Sequence, residues 1–221
     1  GLRPWVDAGV PVVVLEPSCA SVFRDELTNL MPARSEAQRL RQQTKLLSEF
    51  LVERDVVLPQ LERRAVVQGH CHHKAVLGYD AERSVFERMG VRAQLLSSGC
   101  CGMAGAFGFE RDSAKQHVSR ACGERVLFGA VHAADGDTLV VADGFSCKTQ
   151  IESGTGRRAL HVAEVIQLGL AASAGKQVDG ERERRVQERV PEQLAPVGLL
   201  CLGAAAALGA LAFRAHAART V

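Results

Sequence analysis

A chain of 221 residues has room for one sizeable domain or one and a half small ones, and its 47% hydrophobic and 24% charged residues are ordinary for a globular protein. A formal net charge of +2, with no folded stretch that interleaves Lys and Arg with aromatics, argues against a nucleic-acid binder. Seven cysteines, with no secretory signal in Gly1-Leu2-Arg3-Pro4-Trp5, favour metal ligation in a reducing, cytoplasmic compartment over a disulfide framework.

In chain order, Val10 to Leu15 reads as a short buried strand that ends at Glu16-Pro17-Ser18-Cys19. A helix follows from Ala20 to Leu30 and is stopped by Pro32. Leu40, Leu46, Leu47, Phe50 and Leu51 predict one amphipathic helix from Ser35 to about Arg54, with Ser35 as its N-cap. Arg64 to Gly69 is the next strand and runs into His70-Cys71-His72-His73; helical signal continues from Lys74 to Met89, with Gly90 as the stop. Val91 to Leu96 is a strand that ends at Ser97-Ser98-Gly99-Cys100-Cys101-Gly102-Met103-Ala104-Gly105. Arg111 to about Ala133 is mostly helical, interrupted near Gly123. Thr138 to Ala142 is a strand, followed by Asp143-Gly144-Phe145-Ser146-Cys147 and a helix from Lys148; His161 to Ala172 closes this part as an amphipathic helix.

Strands alternating with helices predict an α/β domain with a mainly parallel sheet flanked by helices. Sites in such sheets form beyond the carboxyl ends of the strands, and Cys19, Cys71, the Cys100-Cys101 doublet and Cys147 each follow a predicted strand, so that several can meet there. Asp7 to Cys19 also aligns without gaps on Asp135 to Cys147: an acidic turn, a strand, an elbow and Ser-Cys opening a helix. The simplest meaning is two copies of one module, which places Cys19 in a separate or remnant site. With no initiator Met and a strand almost at once, the chain is expected to begin partway through a larger protein. Beyond Ala174 the chain turns polar, then runs without charge from Ala195 to Phe213, near the ~20 residues needed to span a bilayer. Its Ala and Gly content leaves a membrane-attached tail and a terminal packing helix both open.

Adjacent side chains on a regular element point apart, so Cys100 and Cys101 serve one site only where the backbone bends, which Gly99, Gly102, Gly105 and Gly108 allow. Four strand-end thiolates, Cys71, Cys100, Cys101 and Cys147, are the number that a [4Fe–4S] cluster takes. The amides of the turn from Gly102 through Met103 and Gly105 to Gly108, with Lys74 and Lys148, suit its negative charge. His70 and His72 are expected to hydrogen-bond to the sulfurs rather than to ligate. A zinc site of three cysteines and one of His70, His72 or His73 is the chemical rival, although no C-x₂₋₄-C knuckle is present. A zinc-binding or metal-free module that docks a redox enzyme therefore stays open beside the cluster. Cys122, inside a helix, and Cys201, in the apolar tail, read as small buried hydrophobes.

These residues resemble the cysteine-rich CCG domain family. His70-Cys71-His72-His73-Lys74, Gly99 to Glu110, Val141 to Ile151, Leu15 to Cys19 with Phe23 to Glu26, and Ala159 to Ala163 carry the resemblance in order. The most similar branch is the C-terminal iron–sulfur part of FAD-linked oxidases of the D-2-hydroxyglutarate and D-lactate dehydrogenase type. The iron–sulfur subunits of glycolate oxidase and anaerobic glycerol-3-phosphate dehydrogenase, and the corresponding part of heterodisulfide reductase, are more distant. The resemblance implies two modules: residues 1–31 end a first one, 32–62 form a connecting helix, and 63–174 make a second, cluster-binding one. Residues 175–193 are a charged linker and 194–221 an apolar tail that attaches to the inner face of the cell membrane or packs. It further implies that Cys71, Cys100, Cys101 and Cys147 ligate a [4Fe–4S] cluster, with Cys19 on the last cysteine of the first module. The resemblance also implies FAD on a part of the protein outside this chain and electron transfer to a quinone or a carrier protein. Gln150 stands where the fullest family pattern has a second cysteine of a Cys-x-x-Cys ending, which favours the four-thiolate cluster over a five-cysteine one.

Overall fold

Short β-branched runs become the strands, and the segments between them the helices, of a computed structural model that describes residues 2–111 and 113–175. The linker beyond Gly175, the tail at 194–221 and Cys201 lie outside the described residues. A first helix α1 (Arg3–Asp7) precedes strand β1 (Val12–Val14), and α2 (Pro17–Ser21) runs on through a π-helical turn at Val22–Glu26 into α3 (Leu27–Leu30). Pro17 takes the first helical position, where a missing N–H costs nothing, and the Glu16 carboxylate accepts hydrogen bonds from the Ser18 hydroxyl (2.7 Å) and amide (3.5 Å). Then come α4 (Ser35–Gln43), β2 (Thr44–Leu46), α5 (Leu47–Glu53), β3 (Arg64–Val67), a π-helical turn at His73–Leu77 and α6 (Asp80–Arg88). The remainder is β4 (Arg92–Leu95), a 3₁₀ turn at Phe107–Phe109, α7 (Ser113–Glu124), α8 (Leu127–Ala133), β5 (Leu139–Val141), α9 (Phe145–Thr155) and α10 (Val162–Ser173).

The larger sheet has strand order β4-β3-β5, all parallel, with Val66 opposite both Gln94 and Val140. The period-two alternation of its side chains divides the core. Ala65, Val67, Leu139 and Val141 face Val85 and Phe86 of α6, Met89 just beyond it, and Val162 and Val165 of α10. Val66 and Val140 face Leu127, Phe128 and Val131 of α8, and Ile151 of α9. Helices thus cover both faces of a parallel sheet, as its buried strands require. Each large apolar side chain so removed from water contributes on the order of 1.5–3 kcal/mol.

Two helices read from the sequence divide differently. The single helix expected over 35–54, and with it the connecting helix of 32–62, is interrupted by β2, which pairs in parallel with β1. Thr44 and Leu46 are buried there, so pairing the edge of β1 outweighs the helical period of the leucines. Ser35 is the first helical residue rather than the cap: Arg34 holds that position in an extended conformation, with no side-chain cap. The interruption expected near Gly123 is present, two residues further on. The break comes at Arg125-Val126, and Gly123 stays inside α7 because the Phe128 ring needs the room: a Cβ at Gly123 would lie 2.4 Å from that ring. The 74–89 helix likewise divides at Gly78, whose φ of +84° suits only glycine.

The internal repeat has a structural counterpart. β1 and β5 each lead through an elbow into a helix whose third residue is a cysteine, Cys19 in α2 and Cys147 in α9. The two copies touch at their elbows, where Glu16 accepts a hydrogen bond from the Phe145 amide (2.7 Å); beside them the His161 ring, at the start of α10, meets the Leu15 carbonyl (3.0 Å).

Candidate metal centre

Because β4, β3 and β5 are parallel neighbours, the three loops at their carboxyl ends lie side by side. The loop after β3 carries Cys71, the one after β4 carries Cys100 and Cys101, and the elbow after β5 leads to Cys147. These four thiols cluster closely enough to act on one another: Cys71 and Cys101 act on Cys100, and Cys147 acts on Cys101. All six cysteines among the described residues are free. Cys101 and Cys147 are buried in the core under α8 and α9, Cys71 is half-buried and Cys100 is exposed. The set therefore runs from the dry interior to the surface.

The glycine turn supplies donors. The Gly102 amide donates to the Cys100 sulfur at 3.4 Å, and the amides of Met103 and Ala104 donate to Cys101. Such a nest forms where successive residues alternate into positive φ, here Gly102 at +98°, Ala104 at +43° and Gly105 at +66°. Gly105 turns in open space, whereas a Cβ on Gly102 would lie 2.0 Å from the Ser119 carbonyl oxygen. Ser119 is fixed from behind by Gln150, whose amide donates to its carbonyl (2.9 Å) and hydroxyl (3.3 Å). Gln150 thus stands one layer behind the sulfurs and braces the turn.

The electrostatics set the thiols apart from one another. The hydrogen bond from Cys147, with the Met103 and Ala104 amides, outweighs burial and lowers Cys101 to about 6. Cys147, giving that hydrogen bond to Cys101 and itself buried, is pushed far up, and Cys100, though its residue is exposed, is raised as well by the desolvation its neighbours impose on the sulfur. Apart from a cation, the pocket tolerates one buried thiolate and resists the next. A metal centre that takes all four sulfurs as thiolates removes this conflict, and the inward amides meet its negative charge. The donor set and the cradle fit a four-thiolate iron–sulfur cluster.

Around the thiols, His70 is buried against Gly144, where a Cβ would come within 2.4 Å of its ring, and its Nδ1 accepts the His72 amide at 3.3 Å. Burial holds the His70 imidazole below its ordinary pKa, so it is neutral at pH 7. His70, Cys71 and His72 bring ligand atoms within 4.8 Å of one another. Two residues are committed elsewhere. The ammonium of Lys74 donates to the Ser98 carbonyl, and that of Lys148 pairs with Glu164 at 2.8 Å. Both lysines therefore hold loops together rather than aiming a charge at the sulfurs. Cys19 is exposed in α2 and is not one of the four. Cys122 lies behind the turn, its Cβ 2.9 Å from where one on Gly102 would stand. Sequence reasoning missed Gln68 and Ser98, whose 2.6 Å hydrogen bond ties the β3 and β4 loops, and Ser119; no spacing marks any of them.

Among known proteins, the chain is 29% identical over 167 residues to D-2-hydroxyglutarate dehydrogenase of Pseudomonas putida, a match that covers 75% of this chain and 16% of that enzyme. It is 29% identical over 170 residues to one subunit of the anaerobic glycerol-3-phosphate dehydrogenase of Escherichia coli K12, and that match covers 74% of this chain and 41% of the relative. Against D-2-hydroxyglutarate dehydrogenase of the same organism the figures are 27% over 161 residues, 71% and 15%. No family model matches, and no solved structure does. The chain is thus homologous to a segment of these dehydrogenases, as its motifs indicated, and spans only a minor part of their length.

Proposed function

We propose, starting from this kinship, that the chain is the iron–sulfur electron-transfer part of an FAD-linked 2-hydroxyacid dehydrogenase, with Cys71, Cys100, Cys101 and Cys147 as the ligands of one [4Fe–4S] cluster. The observation that carries the reading is the contact of four free thiols from three neighbouring strand ends, cradled by amides. When bound, such a cluster supplies one-electron storage and transfer between a flavin on a part of the enzyme outside this chain and an acceptor such as a quinone. The chain's own residues set the conditions. Cys101 and Cys147 exclude water from the inner side, while the amides of Gly102, Met103 and Ala104 hold negative charge on the sulfurs. Cys100 and Cys71 leave one edge near the surface, within reach of a partner. Anaerobically reconstituted protein reduced with dithionite should give a low-temperature EPR signal that disappears on addition of a soluble quinone. Reduced protein without any signal would count against the relay.

The zinc reading keeps one observation in its favour, the approach of His70 and His72 to Cys71. One equivalent of zinc with no sulfide in the purified protein would support it over the cluster. Among the described residues no helix is long and apolar enough to cross a membrane, so attachment to the inner face of the cytoplasmic membrane rests on the uncharged run within 195–213. Deleting 194–221 should move the protein from the membrane to the supernatant fraction, and unchanged partitioning would remove the tail from the account.

A further inference from the structure

Beside the thiols, three polar side chains from three elements converge inside the fold. His73 lies in the turn after Cys71, Glu82 on α6 and Asp143 in the elbow after β5, and one ligand atom of each lies within 4.8 Å of the other two. His73 is 2% exposed and Glu82 1%. Some of their hydrogen-bonding capacity is met: Glu82 Oε1 accepts from the Tyr79 hydroxyl, and Asp143 Oδ1 accepts from the Val162 amide at 2.8 Å. The rest is not. His73 Nδ1 and Glu82 Oε2 face each other at 3.8 Å, fully buried, and neither has a hydrogen-bond partner.

An orphaned buried polar atom costs about 1–3 kcal/mol, so two that face each other beyond hydrogen-bond distance either close into a direct His73–Glu82 hydrogen bond or take a third party between them. One proton shared between Glu82 and Asp143 would satisfy the carboxyls and still leave His73 Nδ1 unpaired. A divalent cation satisfies all three and balances two carboxylates with no added anion. One imidazole nitrogen and two carboxylate oxygens suit a first-row ion such as zinc; calcium takes six to eight oxygens. Bonds of about 2.0–2.1 Å put tetrahedral ligand atoms ~3.4 Å apart, so the 3.8 Å pair needs only a slight contraction.

We propose that His73, Glu82 and Asp143 form a buried mononuclear site for a divalent first-row cation, separate from the four thiols. Its place in the fold gives it a consequence. His73 follows Cys71 by two residues and Asp143 precedes Cys147 by four, so one ion joins the two loops that deliver these cysteines and anchors both on α6. The site does not depend on what the thiols hold.

Zinc is the probe. A full-length Cys101→Ser/Cys147→Ser chain, which lacks the two buried thiols, is equilibrated with zinc, freed of excess by gel filtration and examined at the zinc K-edge. One zinc per chain with a nitrogen–oxygen shell near ~2.0–2.1 Å and no sulfur at ~2.3 Å is expected. In the otherwise wild-type chain, Glu82→Gln should retain one zinc fewer, its affinity falling by more than the ~10–100-fold typical of losing an outer-shell partner. Should that variant not fold, Asp143→Asn carries the same comparison. No retained zinc, a shell made of sulfur, or unchanged zinc content in Glu82→Gln would overturn the proposal. A missing iron–sulfur cluster alone would not touch it.

Discussion

A Cys101→Ser chain, reconstituted anaerobically beside the wild type, is expected to lose most of its iron and sulfide while keeping its fold. Cys101 is the middle of the thiol set: it contacts Cys147 and Cys100 and receives the Met103 and Ala104 amides. It is also 3% exposed, so water cannot easily take its place as a ligand. Serine has nearly the same shape, and Cys147 remains as its hydrogen-bond partner, so the metal-free protein should lose no more than about 1–1.5 kcal/mol. The two readouts together separate ligation from packing. Cys122→Ser is the internal control, because Cys122 stands behind the glycine turn and outside the thiol set, and its iron content should match the wild type. Equal iron in Cys101→Ser and wild type would remove Cys101 from the ligand set.

Gly102→Ala should be the most damaging single methyl group in the turn. The backbone there has φ +98°, and the new Cβ would stand 2.0 Å from the Ser119 carbonyl oxygen, which Gln150 holds in place. A left-handed non-glycine residue costs about 1–3 kcal/mol before any clash, so a loss of ~3 kcal/mol or more is expected. Gly105→Ala is the matched comparison: it also has positive φ, at +66°, but its Cβ would meet open space, and ~1 kcal/mol is expected. Urea unfolding of the two metal-free variants measures the difference. If both lose the same stability, the close approach of Ser119 to the turn does not matter, and the cradle has been misread.

The features most legible in the sequence are those that obey a simple geometric rule. Parallel strands end at one edge, so cysteines placed just after Val67, Leu95 and Val141 had to gather there whatever the helices did. The Cys-Cys-Gly doublet was legible for the same reason: adjacent thiols need a bend, and the glycines provide it. The break at β2 was not. Leu40, Leu46, Leu47, Phe50 and Leu51 satisfy a helical period, and only the presence of β1 beside them favours an extended Thr44–Leu46. Local pattern cannot report a partner distant in sequence.

The charged residues were the hardest to read. Glu82 lies in the first turn of α6 beside Asp80, where an acidic residue ordinarily caps a solvated helix end, yet it is 1% exposed. His73 looked like a flanking residue of Cys71, and Lys148 like a charge for the sulfurs. In the fold one turns away into the core and the other pairs with Glu164. Side-chain direction at a strand end depends on φ and ψ that the sequence alone leaves undetermined.

Metal and sulfide analysis of the anaerobically purified and reconstituted full chain tests most directly whether Cys71, Cys100, Cys101 and Cys147 hold one iron–sulfur cluster. About four iron and four acid-labile sulfide per chain are predicted. Zinc in place of iron, with no sulfide, would contradict it.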